Sequence, residues 1–307
     1  MISNGWERKI KKAGFQGEIR HKVPMSEVTS FRIGGPADCI LYPQGMEDLQ
    51  IVIALCREEG MPYLPLGNGT NLLASDTGVR EPLINLTRGL SDIRKHGTKV
   101  MAGTGLGLPQ LLRFCASNGL SGLEPLAGIP GTVGGGIRMN AGSWGMEVGD
   151  RISSVMVMDH AGGIRWLKHD EVTFGYRGIE LPSEEIILQG EFSLRKGVES
   201  EISGKMREFM LRRKETQPLF QPSAGSIFKN PPDMPAGKLI EEAGLKGLRR
   251  GDAMVSPLHA NFIVNVGTAQ ARDVMGLITQ IRDRVYHEKG IKLELEVQII
   301  GEPEMET

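Results

Sequence analysis

The chain has 307 residues, 40% of them hydrophobic and 24% charged, which is enough for two or three domains with buried cores. Its 36 Lys and Arg against 37 Asp and Glu give a formal charge of -1, so no global basic field exists for a nucleic-acid partner. Three cysteines without a C-x-x-C pair or a His/Cys cluster exclude a disulfide framework and a zinc centre, and no metal is expected.

Residues 1–12 are charged and lack an apolar signal core, and no run reaches the roughly 18 apolar residues of a membrane span. A cytoplasmic chain with no membrane partner is expected. Residues 1–30 read as an amphipathic lead-in, 29–38 as a strand running into a turn, and 39–43 as a buried strand stopped by Pro43. Apolar residues at 49, 52, 53 and 56 predict a helix over 46–59, closed by Gly60. A first glycine cluster follows, Gly67-Asn68-Gly69-Thr70-Asn71-Leu72, a tight turn of residues that tolerate left-handed backbone. Strands are expected at 82–86 and 99–102, then a helix at 108–118 with Pro109 in its first turn and Gly119 at its end. Cys56 and Cys115 fall in apolar helical patterns and read as core.

Residues 128–142 hold six glycines among fifteen positions, interleaved with Ile129, Val133, Ile137 and Met139. Flexible linkers are Gly/Ser-rich and polar, so this run reads as an ordered loop whose bare amides form a nest suited to phosphate oxygens. Strands at 152–159 and 163–168 flank a turn at Ala161-Gly162, and 186–194 is a further strand. Composition shifts near residue 200. Residues 203–215 form a basic amphipathic helix with Met206, Phe209 and Met210 inward and Arg207, Arg212, Arg213 and Lys214 on a solvated face. A short helix at 236–243, a strand at 261–266 and a long helix at 268–289 follow, the last with Thr268 as N-cap and Gly290 beyond its end. Ile291, Leu293, Leu295, Val297 and Ile299 alternate with polar residues, a strand that sends Glu294 and Glu296 to its other face.

The glycine clusters invite a dinucleotide reading, but the G-x-G-x-x-G spacing of a Rossmann fold fails at Gly103-Thr104-Gly105 and at 128–142, and no Gly-Lys-Ser/Thr ending marks a P-loop. Two separate nests suit two parts of one long pyrophosphate ligand in a different fold. Ser226, in Gly225-Ser226-Ile227-Phe228-Lys229-Asn230-Pro231, sits in no G-x-S-x-G elbow, which argues against an acyl-transfer nucleophile. Arg177, after Tyr176, has the side chain for bidentate pairing with a carboxylate.

These pieces, with Ser30-Phe31-Arg32-Ile33-Gly34-Gly35, Gly128-Ile129-Pro130-Gly131-Thr132-Val133-Gly134-Gly135, Asn140-Ala141-Gly142, His259-Ala260-Asn261 and Glu294-Leu295-Glu296-Val297, stand in one order along residues 25–302. In that order the chain resembles the UDP-N-acetylenolpyruvoylglucosamine reductase (MurB) family, in its shorter, type II branch. The resemblance implies an α+β protein with an FAD-binding domain of the vanillyl-alcohol oxidase (PCMH) type. Its two α+β subdomains would span 1–88 and 89–204, the latter joined by a C-terminal strand at 291–302. An α/β substrate-binding domain would span 205–290.

The cofactors implied are FAD and NADPH, and the partner is a UDP-sugar, with no obligatory protein partner. The reaction implied is NADPH-dependent reduction of an enolpyruvyl ether to a D-lactyl ether. Carried over by motif, Arg177, Ser226 and Glu296 are catalytic. Arg177 would bind the substrate carboxylate where charge develops. Ser226 would donate the proton to a strongly basic enolate carbon, and Glu296 would assist as the neutral acid. FAD would lie on Gly67, Asn68, Gly69, Thr70, Asn71 and Leu72, on Gly128, Ile129, Pro130, Gly131, Val133, Gly134 and Gly135, and on Asn140 and Gly142. Tyr176, Lys214, Lys229, Asn230, His259 and Asn261 would meet the substrate. Ser143-Trp144 departs from the alanine and tyrosine of the family pattern. Two other readings stay open, a flavin oxidase acting on an alcohol or sugar and a nucleotide-sugar binding protein without flavin. An oxidase would have no need of Ser226 and Glu296, and the intact glycine loops oppose the binding protein.

Overall fold

The computed structural model describes residues 4–302, so the first three positions of the expected 1–88 segment lie outside the described residues. In chain order its main elements are α1 (Asn4–Lys12), β1 (Pro36–Tyr42), α2 (Met46–Glu58), β2 (Leu64–Leu66), β3 (Leu72–Ala74), β4 (Leu83–Asn85), β5 (Ile93–His96), β6 (Lys99–Gly103), α3 (Leu108–Ser117) and α4 (Val133–Arg138). They continue with β7 (Ile152–Met158), β8 (Ile164–Lys168), β9 (Ile186–Ser193), α5 (Glu199–Thr216), α6 (Ala236–Glu242), β10 (Arg249–Arg250), β11 (Ala253–Val255), β12 (Ile263–Asn265), α7 (Ala271–Lys289) and β13 (Gln298–Ile300). The mixture is α+β, as expected. Contacts divide it into two units. Of the described residues, the first holds 4–20, 39–68 and 81–212, and the second holds 21–38, 69–80 and 213–302.

The first unit has two cores. In one, β1 and β2 pair in parallel with β4, Ile40 opposite Leu83 and Leu64 opposite the same residue. Trp6 and Ile10 of α1 and Leu49, Val52, Ile53 and Cys56 of α2 are buried with Leu41 and Ile84. In the other, five antiparallel strands run β8-β7-β9-β6-β5. Val155 and Phe192 of that sheet share a core with Leu111, Leu112 and Cys115 of α3 and Ile137 of α4. A fully buried side chain such as Phe192 contributes about 1.5–3 kcal/mol. The three cysteines are free and buried, and burial pushes the Cys56 and Cys115 thiols up to about 12, as core residues should behave.

The second unit has its own core. Leu239 and Ile240 of α6 and Val274, Leu277, Ile278, Ile281 and Val285 of α7 pack on Ala253, Val255 and Ile263 of the sheet β10-β11-β12. Phe31, Ile33 and Leu73 join this core from the N-terminal part of the chain. The last strand, β13, pairs in parallel with β3, Gln298 opposite Leu72 and Ile300 opposite Ala74. It therefore returns to a strand of the 1–88 segment and not to the 89–204 segment.

Five local expectations are corrected. Residues 128–142 are not loop throughout, because α4 forms within them with Thr132 as N-cap, its Oγ1 accepting the Gly135 N–H at 3.3 Å. In α5 the inward stripe is Ile202, Met206 and Phe209, and Met210, about 100° further round, is 43% exposed. Arg213 continues that stripe, so it is buried and not on the solvated face, with Nη1 donating to Gln217 Oε1. Thr268 does not cap α7. Asp252 takes its N–H and hydroxyl, and Gln270 is the N-cap, its N–H held by Asp273. The expected strand over 291–299 is regular only in β13, since the chain changes partner along the way. Glu294 C=O and Glu296 N–H bond to residues 229 and 227, whereas Gln298 N–H bonds to Asn71. Its apolar positions still face the core, with Leu293 and Val297 buried in it.

Candidate active site

Gly67 of the first glycine cluster meets Thr132 of the second, both in the first unit. A Cβ on Gly67 would stand 2.7 Å from Thr132 Oγ1, so only glycine lets the turn after β2 lie against the N-cap of α4. Alternate carbonyls of this turn are engaged by the protein. Gly67 C=O accepts from Asn85 Nδ2, Gly69 C=O from Ser30 N–H, and Asn71 C=O from Gln298 N–H. Among the described residues, no protein acceptor meets the N–H groups of Asn68, Gly69 and Thr70. Three successive amides of this kind are a set that phosphate oxygens can occupy. Leu72 opens β3 beyond the turn.

The second cluster behaves differently. Gly128 and Gly131, at φ +82° and +120°, bracket Ile129 and Pro130 in the turn before α4. Ile129 N–H donates to Leu126 C=O, Val133 N–H to Leu106 C=O and Gly134 N–H to Thr104 C=O. With Gly135 bonded to Thr132, these amides serve the fold. A Cβ on Gly134 would fall 1.9 Å from Thr104 Oγ1, so this glycine allows α4 to approach the end of β6. The N–H groups of residues 133–135 are therefore taken by the protein, unlike those of 68–70.

Arg177 sits at the third position of the turn between the short strands Phe174–Gly175 and Gly178–Ile179, with φ +59°. A glycine is usual at such a position, and a non-glycine side chain there carries backbone strain that functional residues often bear. The guanidinium lies 5.0 Å from the Tyr176 ring centroid and 4.0 Å from Glu147 Oε1. Gly142 leaves it room, since a Cβ there would stand 3.1 Å from Arg177 Nη1. Asn140 ties this corner together from a buried position at φ +40°. Its Nδ2 donates to Glu147 Oε2 and Gly175 C=O, and its Oδ1 accepts the Gly149 N–H. Trp144, at φ +54°, stacks on Phe209 with centroids 6.1 Å apart.

In the second unit, Ser226 and Glu296 are brought onto neighbouring strands. Ser226 bridges to Phe262 and Phe228 bridges to Leu295. Glu296 N–H donates to Ile227 C=O at 2.8 Å, and on its other side Asn71 Nδ2 donates to Glu296 C=O at 3.1 Å. The strand that carries Glu296 thus lies between the Ser226 turn and the loop of Asn71. Arg177 belongs to the first unit.

The remaining expected contacts are also placed. Lys229 Nζ is 3.7 Å from Glu294, and Lys214 Nζ lies over the Phe220 ring. Asn230 Oδ1 accepts the N–H of Ala236 at the start of α6. His259 packs edge-on to Phe262, its Nδ1 accepting the Asn261 N–H, and burial lowers its pKa from the ordinary value. Asn261 is 3% exposed and its carboxamide is bonded to both main-chain polar groups of Phe228.

A family model described as the FAD binding domain matches residues 37–168. Another, described as the UDP-N-acetylenolpyruvoylglucosamine reductase C-terminal domain, matches residues 217–300. The chain is 43% identical over 296 residues to the UDP-N-acetylenolpyruvoylglucosamine reductase of Syntrophus aciditrophicus (strain SB), covering 95% of each chain. The chain belongs to the UDP-N-acetylenolpyruvoylglucosamine reductase family. A further relative of that name, from Caldanaerobacter subterraneus subsp. tengcongensis, is 43% identical over 96% of this chain and 97% of its own. The crystal structure of the family member MurB from Thermus caldophilus superposes with a TM-score of 0.80 and 39% identity, over 94% of this chain and 100% of that one.

Membership of the reductase family agrees with an FAD-binding domain joined to a second, C-terminal domain. The residues present fit the cofactor, on the observation of the amides at 68–70, which no protein acceptor meets among the described residues, in a turn where the carbonyls of 67, 69 and 71 are engaged by the protein. Sequence reasoning missed Glu147, Thr132 and Thr104. Thr132 was detectable as a hydroxyl residue just before a helical run, an N-cap signature. Glu147 has no local signal, because its partners Asn140 and Arg177 come from two other segments.

Proposed function

We propose that the chain is a cytoplasmic, NADPH-dependent flavoenzyme. It reduces the enolpyruvyl ether of UDP-N-acetylglucosamine to the D-lactyl ether of UDP-N-acetylmuramate for peptidoglycan synthesis, with no obligatory protein partner. FAD, when bound, supplies a hydride obtained from NADPH to the terminal vinyl carbon of the substrate. The pyrophosphate is held by the turn at 67–72, with residues 128–135, Asn140 and Gly142 shaping the remainder of its bed. Arg177 binds the substrate carboxylate and stabilises the negative charge that grows on it. Glu296, as the neutral acid, donates to the same developing charge. Ser226 Oγ gives its proton to the carbon next to the hydride acceptor, a transfer that runs downhill because an enolate carbon is strongly basic. Lys214, Lys229, Asn230, Tyr176 and His259 supply polar contacts to the UDP-sugar.

The observation that carries this reading is the placing of Glu296 between the Ser226 turn and Asn71, through the bonds from Glu296 N–H to Ile227 and from Asn71 to Glu296. The segments of a proton donor, an acid and an FAD-loop residue then lie side by side. The test separates the half-reactions. Purified protein should be yellow, and NADPH should bleach it without oxygen. The enolpyruvyl substrate should restore the colour, and Ser226→Ala should keep the bleaching while slowing the recovery by about 10²–10⁴-fold. Equal loss of both half-reactions in Ser226→Ala would remove serine as the donor, and recovery only with oxygen would favour an oxidase.

A further inference from the structure

We propose that Asn261 is a positioning residue for Ser226, its carboxamide pairing with both main-chain polar groups of Phe228 and so fixing the turn that carries the serine. The proposal rests on the reading of Ser226 as proton donor. It replaces the expected role of Asn261 as a substrate contact.

The amides of residues 227–229 are all engaged. Ile227 N–H donates to Asn261 C=O at 2.8 Å, and Lys229 N–H donates to Glu294 C=O at 2.8 Å. Between them, Phe228 N–H donates to Asn261 Oδ1 at 3.0 Å, and Asn261 Nδ2 returns a bond to Phe228 C=O at 2.7 Å. Of these three amide bonds, the middle one alone uses a side chain. A carboxamide matches a peptide group in offering one N–H and one C=O side by side, so Asn261 stands in for a strand partner at a point where the ladder is irregular. Phe228 is 1% exposed and Asn261 is 3% exposed, so water cannot replace the lost bonds cheaply. Ser226 stands two positions before Phe228, and Glu296 is bonded to the intervening Ile227. A shift of the turn therefore moves the donor and the acid together. Proton transfer needs its partners within about 3 Å, and a displacement of about 1 Å can cost 10²-fold.

The experiment uses the FAD-loaded protein and two variants, Asn261→Ala and Asn261→Asp. The second keeps an acceptor for Phe228 N–H but sets a carboxylate oxygen against Phe228 C=O. Two things are measured, the hydrogen exchange of the Phe228 amide and the two anaerobic half-reactions. Asn261→Ala should speed Phe228 exchange at least tenfold and leave flavin reduction by NADPH within twofold of wild type. It should slow reoxidation at saturating enolpyruvyl substrate at least tenfold. Asn261→Asp should fall between Ala and wild type in exchange, and it decides the matter should the alanine variant not fold. Unchanged Phe228 exchange, reoxidation at the wild-type rate, parallel loss of both half-reactions, or a raised KM at unchanged kcat each overturns the proposal, the last by restoring the substrate contact. A wild-type flavin that the substrate does not reoxidise overturns the proposed function instead. The exchange comparison then still supports or overturns Asn261 as the residue that holds the turn.

Discussion

Replacing Asn140 by alanine should unsettle the corner that holds Arg177, and the size of the effect can be built from its three bonds. The Gly149 N–H is buried, and loss of Asn140 Oδ1 leaves it without its acceptor, at a cost of about 1–3 kcal/mol. Gly175 C=O and Glu147 are partly or fully exposed, so water recovers most of those two bonds and each loss is about 0.5–1.5 kcal/mol. Alanine at φ +40° adds about 1–2 kcal/mol of steric strain that asparagine tolerates better. Asn140→Ala should therefore destabilise the first unit by about 3–8 kcal/mol. Asn140→Gly removes the same bonds without the strain and should recover about 1–2 kcal/mol of that. Urea unfolding gives the loss as a lowered midpoint with unchanged slope, and exchange of the Gly149 amide localises it. A loss below about 1 kcal/mol in Asn140→Ala, or a glycine variant as damaged as the alanine one, would refute the reasoning.

Two further outcomes follow from single contacts. Gly134→Ala should cost about 1–3 kcal/mol or more through overpacking, because its Cβ meets Thr104 Oγ1 at 1.9 Å and Thr104 Cβ only at 3.1 Å. Adding Thr104→Ala should return more than half of that loss in the unfolding midpoint, and additive losses would show that the clash is not the cause. Burial, with Lys246 as a lesser contributor, holds the His259 pKa below its ordinary value near 6.5. The unfolded chain then takes up a proton first as pH falls, so the stability contribution is complete above about 6.5 and is lost as pH falls through the lower folded value. Unfolding free energies between pH 8 and 5 should decline less steeply in His259→Gln, and identical slopes would contradict that sign.

Long periodic elements were legible in the residues, and partner changes were not. The helix at 46–59 was visible from positions 49, 52, 53 and 56, all of them buried on one face of α2. The hairpin at 152–168 was visible from its alternation and its Ala161-Gly162 turn, and the paired register Met158 to Ile164 matches it. The stripe of α5 is half visible in the sequence: Met206 and Phe209 pack inward, but Met210, equally apolar, stands about 100° away from Phe209 and is exposed. Thr268 looked like a cap because a hydroxyl precedes a helical run. Asp252, sixteen residues away, takes it instead, and no local pattern announces that. The same limit applies to Asn261, whose importance lies in Phe228, thirty-three residues back.

The glycines of residues 128–142 show why a motif can be right about a family and incomplete about a role. Dense glycine signals backbone that must come close to something, but the neighbour need not be a ligand. At Gly134 the neighbour is Thr104, and the N–H groups of Val133 and Gly134 end on carbonyls of residues 106 and 104. At Gly67 the neighbour is Thr132, which lets the turn at 67–72 rest on the N-cap of α4. Rigidity in the second cluster thus supports the geometry of the first, where no protein acceptor among the described residues meets the N–H groups of 68–70. On this reasoning, enlarging Gly134 should weaken FAD binding through the position of the turn at 67–72, not through a contact of its own, and Thr104→Ala should restore affinity along with stability.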